Sequence, residues 1–156
     1  MVFAPAGSTA NELILKCGGM LDGHKFKAFL PGGASGGILP STKGDLPLDF
    51  GGELANHGCF VGSHAIVILS DKDNLADVAL NLMAFFKHES CGQCTPCRNG
   101  TEKIINIIKN KSKWDKGLLY DISEVMTNAS ICGLGQAASN PILSVLKFFP
   151  KDVGIK

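Results

Sequence analysis

Cys91, Cys94 and Cys97 stand three residues apart in HESCGQCTPCRNG, and Cys132 follows in SICGLGQ after a stretch with helical character. Thiolates at this spacing are soft ligands gathered on one side of a compact loop. Zinc sites usually draw two ligands from each of two separated C-x-x-C pairs. Three thiolates from one loop and a distant fourth suit a [4Fe–4S] cluster better, because each of its four irons takes one cysteine. Glycine-loop N–H groups and nearby helix N-termini would favour the negative charge of such a centre. A zinc-stabilised protein-interaction domain without redox activity remains the alternative. A dithiol pair of Cys91 and Cys94 is disfavoured, since a third thiol so near would scramble it. Unliganded core packing fits poorly with the Gly, Gln, Thr and Arg that surround these cysteines.

Other residues invite weaker readings. Cys17 and Cys59 are isolated among apolar or small neighbours and read as small core hydrophobes. His88 reads as a helix-terminal group bonded to a carbonyl rather than as a ligand. Arg98, directly after Cys97, reads equally as a surface ion-pair partner or as a positive charge that eases reduction of a nearby centre. His24, His57 and His64 show no metal-site spacing. PGGASGGILP (31–40) lacks both G-x-x-x-x-G-K-[ST] and a strand–GxGxxG–helix context, so it reads as a turn-rich connector rather than a phosphate loop. No general acid, base or nucleophile is assigned.

Two regions of different grammar must position these groups. Residues 1–71 are glycine-rich and punctuated. Ser8 or Thr9 can cap a short helix, ANELILKC, which Gly18 and Gly19 stop. HKFKAFL (24–30) alternates as a half-buried strand does, and HAIVILSD (64–71) is rich in β-branched residues. Residues 72–156 are helical. Asp73 or Asn74 can cap a helix with an apolar stripe of Leu75, Val78, Ala79, Leu82, Phe85 and Phe86. TEKIINIIKN, GLLYDISEVMTNA and PILSVLKFF supply the others, with Leu118, Leu119, Ile122, Val125 and Met126 expected to face inward on the second. The predicted fold is α+β: a small unit of short strands around one helix, then a bundle of about four helices with the thiol cluster between its ends.

The totals exclude several classes. A net charge of +1 and 7% aromatic residues leave neither a basic patch nor a stacking platform for nucleic acid. The longest apolar run, AIVIL, is far too short to span a bilayer, and the first residues lack the basic and apolar regions of a signal peptide. The expected location is cytoplasmic, where six cysteines make a disulfide framework implausible.

HESCGQCTPCRNGTEKI followed by SICGLGQAASNPILSVLKFF resembles the NADH-oxidising flavoprotein subunit family of respiratory complex I, NAD-reducing hydrogenases and NAD-dependent formate dehydrogenases. GGMLDGHKFKAFLPGGASGGILP, PLDF and GCFVGSHAIVILSD resemble the family's β-grasp-like domain, so the likeness spans nearly the whole chain. GGASGGILP and GCFVGSHAIVILSDKD look closest to the formate dehydrogenase branch. The resemblance implies a β-grasp-like domain over 1–71 and a helical [4Fe–4S] domain over 72–156, with Cys91, Cys94, Cys97 and Cys132 as ligands. It also implies single-electron relay between a flavin and the iron–sulfur centres of partner subunits. The family's FMN- and NADH-binding domain precedes this region, and its glycine-rich motifs are not found here; FMN and NAD are expected on that missing domain or on a partner. The chain is therefore expected to be a C-terminal fragment, a split-gene product or a partial gene model, not catalytic alone and peripheral to a membrane at most. The segment between Cys97 and Cys132 is also slightly shorter than the family's.

Overall fold

The computed structural model describes residues 1–109 and 113–155. It divides into two compact units, Met1–Asp73 and Asn74–Lys156, each described by itself. The architecture is α+β, as the residue patterns imply.

The first unit opens with α1 (Ala10–Lys16). Thr9 is its cap: the hydroxyl accepts the Glu12 N–H at 3.2 Å, while the Glu12 carboxylate accepts the Thr9 N–H at 2.9 Å. Three strands follow, β1 (Phe26–Leu30), β2 (Leu39–Pro40) and β3 (Val67–Ser70), in the order β2-β1-β3 with both pairings antiparallel. Register pairs Phe29 with Leu39 on one side and with Ile68 on the other, and an irregularity between Phe26 and Ala28 bends the β3 edge. Ala28, Phe29, Leu30, Ile38, Leu39, Leu54 and Leu69 form its core. β3 ends where the Asp73 carboxylate accepts the Ser70 N–H at 2.6 Å and the Ser70 hydroxyl at 2.9 Å.

The glycine-rich segment is a connector, yet more structured than its composition suggests. It contains a single 3-10 turn (Ala34–Gly36) and contributes β2. Its glycines answer to close backbone approach: Ser63 N–H donates to Gly32 C=O at 3.0 Å, and Phe60 N–H to Gly36 C=O at 3.2 Å. A Cβ on Gly32 would lie 2.1 Å from Gly62 N and 2.7 Å from Val61 Cα.

The second unit is helical: α2 (Leu75–Glu89), α3 (Thr95–Ile108), α4 (Lys116–Ala129), α5 (Gly133–Ala137) and α6 (Asn140–Phe148). Sequence periodicity anticipated about four helices; the five-residue α5 is the addition. Asn74 caps α2 by accepting the Ala76 and Asp77 N–H groups at 2.9 and 3.2 Å. Asp115 caps α4 by accepting the Leu118 N–H at 3.0 Å. Asn110, expected as the last helical residue of TEKIINIIKN, lies outside the described residues.

The buried stripes differ from the expected ones in phase. On α2 the buried set is Leu75, Ala76, Ala79, Met83 and Phe86, and Phe85 faces outward. On α4 it is Leu119, Ser123 and Met126, whereas Leu118 and Val125 are 45% and 56% exposed. Small residues take the inner face because the helices approach closely. A Cβ on Gly100 of α3 would sit 2.5 Å from Met126 Cγ. Ser123 and Thr101 are tolerated there because their hydroxyls donate to the Leu119 and Cys97 carbonyls at 2.7 and 2.9 Å. Along α3 the stripe is Cys97, Gly100, Thr101, Ile104, Ile105 and Ile108, a helical repeat that begins at a cysteine.

Gly32→Ala is expected to lower stability by about 2–3 kcal/mol, since backbone rather than a movable side chain receives the new methyl. Urea denaturation of the purified chain reads this directly, and a variant as stable as wild type would disprove the packing account.

Candidate metal centre

Four local structures place the sequence-predicted cysteines. Cys91 lies just beyond Ser90, the C-terminal cap of α2, and is exposed. Gly92 follows at φ 73°, a left-handed conformation that lets the chain reverse without a Cβ penalty. Cys94 is the N-cap of α3 with extended backbone (φ −90°, ψ 136°). Pro96 sits in the first turn of α3, where a missing N–H costs nothing. Cys97 is in that same turn and only 4% exposed. Cys132 is the extended N-cap of α5 (φ −132°, ψ 166°) and is exposed.

The loop and the later turn meet because α3 and α4 bring residue 130 back beside the start of α3. Gly135 marks the contact: a Cβ there would lie 2.6 Å from Ser130 Oγ and 2.9 Å from Cys97 Cβ. Gln136 Nε2 donates to the Ser130 carbonyl at 3.0 Å and so ties α5 to the end of α4. Ser90 Oγ lies 3.3 Å from Cys97 Sγ and accepts the Gly92 N–H at 3.2 Å.

The Cys94 thiol is held below the ordinary cysteine range. The Ile131 N–H is the main cause and the Cys97 N–H the next; burial opposes them, and the Ser130 hydroxyl adds a smaller pull. Cys94 closes no side-chain cap hydrogen bond on α3, so the effect comes from several dipoles around the sulfur rather than from one short bond. The dominant donor, Ile131, lies next to Cys132, which puts the Cys94 sulfur against the second cysteine segment.

Arg98 has a role that neither sequence reading anticipated. Its guanidinium donates from Nη1 to the Gly92 carbonyl and, at 3.4 Å, to the Gln93 carbonyl, and from Nη2 to Thr95 Oγ1 at 3.4 Å. The side chain thus fastens the loop between Cys91 and Cys94 to α3. His88 bonds no carbonyl; its Nδ1 faces the Glu89 carboxylate at 3.0 Å and its side chain is exposed. Cys59 is buried as expected, but Cys17 is exposed, because it caps the last turn of α1 and projects beyond the core.

The donor set fits an iron–sulfur cluster. Its four members are all thiols, soft ligands of the kind such a cluster takes. A cubane takes one thiolate at each of four separated irons. Ser130 Oγ is also buried without a well-formed hydrogen bond, a state it shares with Trp114 Nε1 and Ser139 Oγ among the described residues. Of these three, Ser130 is the one whose Oγ crowds the same Gly135 position as a cysteine side chain, Cys97. Ser90 and Ser130 were missed in the sequence, although each stands one or two residues before a cysteine.

An α+β chain whose helical unit gathers thiols at the start of two helices has the build of an iron–sulfur-binding region. Residues 77–155 match the family described as the NADH-ubiquinone oxidoreductase-F iron–sulfur binding region, and the chain belongs to that family. The group associated with this region is a [4Fe–4S] cluster. The NADH-quinone oxidoreductase F subunit of Mycobacterium tuberculosis is 37% identical over 151 residues, covering 94% of this chain and 34% of the relative. The HndC subunit of the NADP-reducing hydrogenase of Solidesulfovibrio fructosivorans is 34% identical over 158 residues, covering 97% of this chain and 32% of the relative. A crystal structure of an NAD+-reducing [NiFe]-hydrogenase in the H2-reduced state superposes with a TM-score of 0.82 at 25% identity, covering 98% of this chain and 27% of that one. The chain spans about a third of the length of the curated relatives it matches.

Two outcomes follow from this geometry. In the reduced, iron-free chain, Cys94 should reach half-maximal iodoacetamide labelling below the ordinary thiol midpoint of about 8.5. The sign is that of a depressed acid: the thiolate is favoured in the fold, so labelling rises at lower pH and shifts back upward in urea. Peptide mass spectrometry across a pH series reads it, and an unshifted midpoint would count against the dipole arrangement. Gly135→Ala should cost the folded chain about 1–3 kcal/mol in urea denaturation even though alanine is the better helix former, because the new methyl meets Ser130 and Cys97.

Proposed function

We propose that Cys91, Cys94, Cys97 and Cys132 are the four ligands of a [4Fe–4S] cluster, and that the chain relays single electrons within an NAD(H)-linked dehydrogenase. When bound, the cluster supplies reversible one-electron uptake and release. The observation that carries this reading is the meeting of the two cysteine segments, in which the Cys94 sulfur faces the Ile131 N–H beside Cys132.

The chain's own residues hold, charge-balance and shield. Cys94 and Cys97 lie at the N-terminus of the 14-residue α3, where the helix dipole favours negative charge. Cys97 is sealed from solvent, while Cys91 and Cys132 lie at the surface. Arg98 brings a fixed positive charge to the loop and binds its carbonyls. None of these roles moves a proton, and the chain is not assigned catalysis of its own.

The electron donor and acceptor lie outside this chain in the same reading. FMN and NAD are held by another domain or a partner, and further iron–sulfur centres by other subunits; the names of the NADH-quinone oxidoreductase and hydrogenase relatives support that context. We read residues 1–71 as a β-grasp-like domain, on the strength of its small antiparallel sheet and single α-helix, and residues 72–156 as the helical cluster domain. The formate-linked branch is our finer reading, resting on the segments GGASGGILP and GCFVGSHAIVILSDKD. No helix among the described residues is long and apolar enough to cross a membrane, which accords with a peripheral, cytoplasmic position in a complex.

Anaerobic purification of the 156-residue chain should yield a brown protein with about four irons. Cys132→Ala should lose most of that iron, nearly as much as Cys94→Ala, whereas Cys17→Ala should retain it. A colourless protein with stoichiometric zinc would sink the cluster assignment, and full iron with an unchanged EPR spectrum in Cys132→Ala would remove the fourth ligand.

A further inference from the structure

We propose that Ser90 and Ser130 tune the reduction potential of this centre, each by donating its hydroxyl hydrogen bond to a cysteine sulfur. The inference rests on the ligand assignment above and concerns residues that are not themselves ligands.

For Ser90 the direction of the bond follows from its neighbours. Its oxygen already accepts the Gly92 N–H at 3.2 Å, so the hydroxyl proton is the part left for Cys97 Sγ at 3.3 Å. A cysteine bound to iron is a thiolate and has no proton to give. The contact then has one polarity, O–H to sulfur.

Ser130 reaches the same arrangement from the other segment. It is only 6% exposed, yet its hydroxyl has no well-formed partner, an expense that a native fold rarely carries without reason. Its Oγ lies beside Gly135 in the same crowded contact as Cys97 Cβ, so its unused O–H stands next to the cysteine segment. The two serines are 40 residues apart in sequence and reach the site from different segments.

A hydrogen bond donated to a thiolate stabilises the form with more electron density on sulfur. One-electron reduction adds a negative charge that is shared with the cysteine sulfurs, so donors favour the reduced centre and raise its potential. No proton is transferred in this step. The electron comes from an external reductant, and the hydroxyl hydrogens stay on their oxygens. Ser130 is buried and Ser90 partly so, which limits how readily solvent replaces a lost donor.

The test is an EPR-monitored redox titration of the anaerobically loaded, full-length chain, with iron content measured on each sample. Ser90→Ala and Ser130→Ala should each lower the reduction equilibrium constant about 3- to 10-fold. Tenfold corresponds to about 59 mV for a one-electron couple. The double variant should show the two shifts roughly summed, because the two hydroxyls donate independently. Ser90→Thr keeps a hydroxyl and should stay near the wild-type potential. Reduced loading does not spoil the measurement, since EPR reports only the assembled fraction. Alanine variants whose assembled clusters titrate at the wild-type potential would overturn the proposal and leave the serines a purely structural role. A wild-type chain that holds no cluster would instead defeat the ligand assignment, a separate and distinguishable failure.

Discussion

The close approach around Gly135 is the constraint on which the helical unit depends. Cys97 is fixed by the first turn of α3, and Ser130 by the end of α4; α5 can begin between them only because residue 135 has no side chain. Everything nearby conforms to that contact. Gly100 lets α3 and α4 approach, Gln136 ties α5 to the Ser130 carbonyl, and the Ile131 N–H is brought to the Cys94 sulfur. The helical core beneath, including Ile104, Ile108, Leu119, Met126, Ile142 and Val145, keeps the two segments from drifting apart. Burying each such side chain contributes roughly 1.5–3 kcal/mol. The binding end therefore draws its geometry from apolar packing and its chemistry from groups at helix termini.

Much of this was legible in the sequence because cysteine spacing is a strong signal. C-x-x-C-x-x-C with a later cysteine limits the chemistry to a few metal centres, and the flanking residues carry the family likeness. Strand and helix positions were legible for a similar reason: alternation over 24–30, β-branched enrichment over 64–71 and capping residues such as Thr9 and Asn74 mark real elements. What the sequence hid was mostly phase. Leu118, Val125 and Phe85 are apolar and were expected inside, but the helices approach along Gly100, Thr101 and Ser123 instead. Polar residues can take that position because their hydroxyls bond carbonyls four residues back. Counting hydrophobes cannot find a face chosen for smallness.

Two other features were invisible for geometric reasons. A glycine-rich stretch announces freedom of the backbone without saying what needs it. Here the answer is another backbone, the 60–63 segment lying against Gly32 and Gly36. Arg98 likewise advertises charge, but its position is set by carbonyls that only the folded loop presents. The serines beside the cysteines belong to the same class. Serine is common near turns, and only proximity to sulfur gives Ser90 and Ser130 their significance.

The 35 positions from Cys97 to Cys132 have a meaning in time as well as in space. During synthesis the first three thiols leave the ribosome ahead of the last by roughly 2–7 s at ordinary translation rates of about 5–20 residues per second. Throughout that interval the Ile131 N–H that faces the Cys94 sulfur does not yet exist, and α4 has not returned to the start of α3. A nascent chain thus displays a trio of reactive sulfurs without their roof. If the four cysteines are cluster ligands, as proposed above, the complete ligand set forms only once the hairpin has closed.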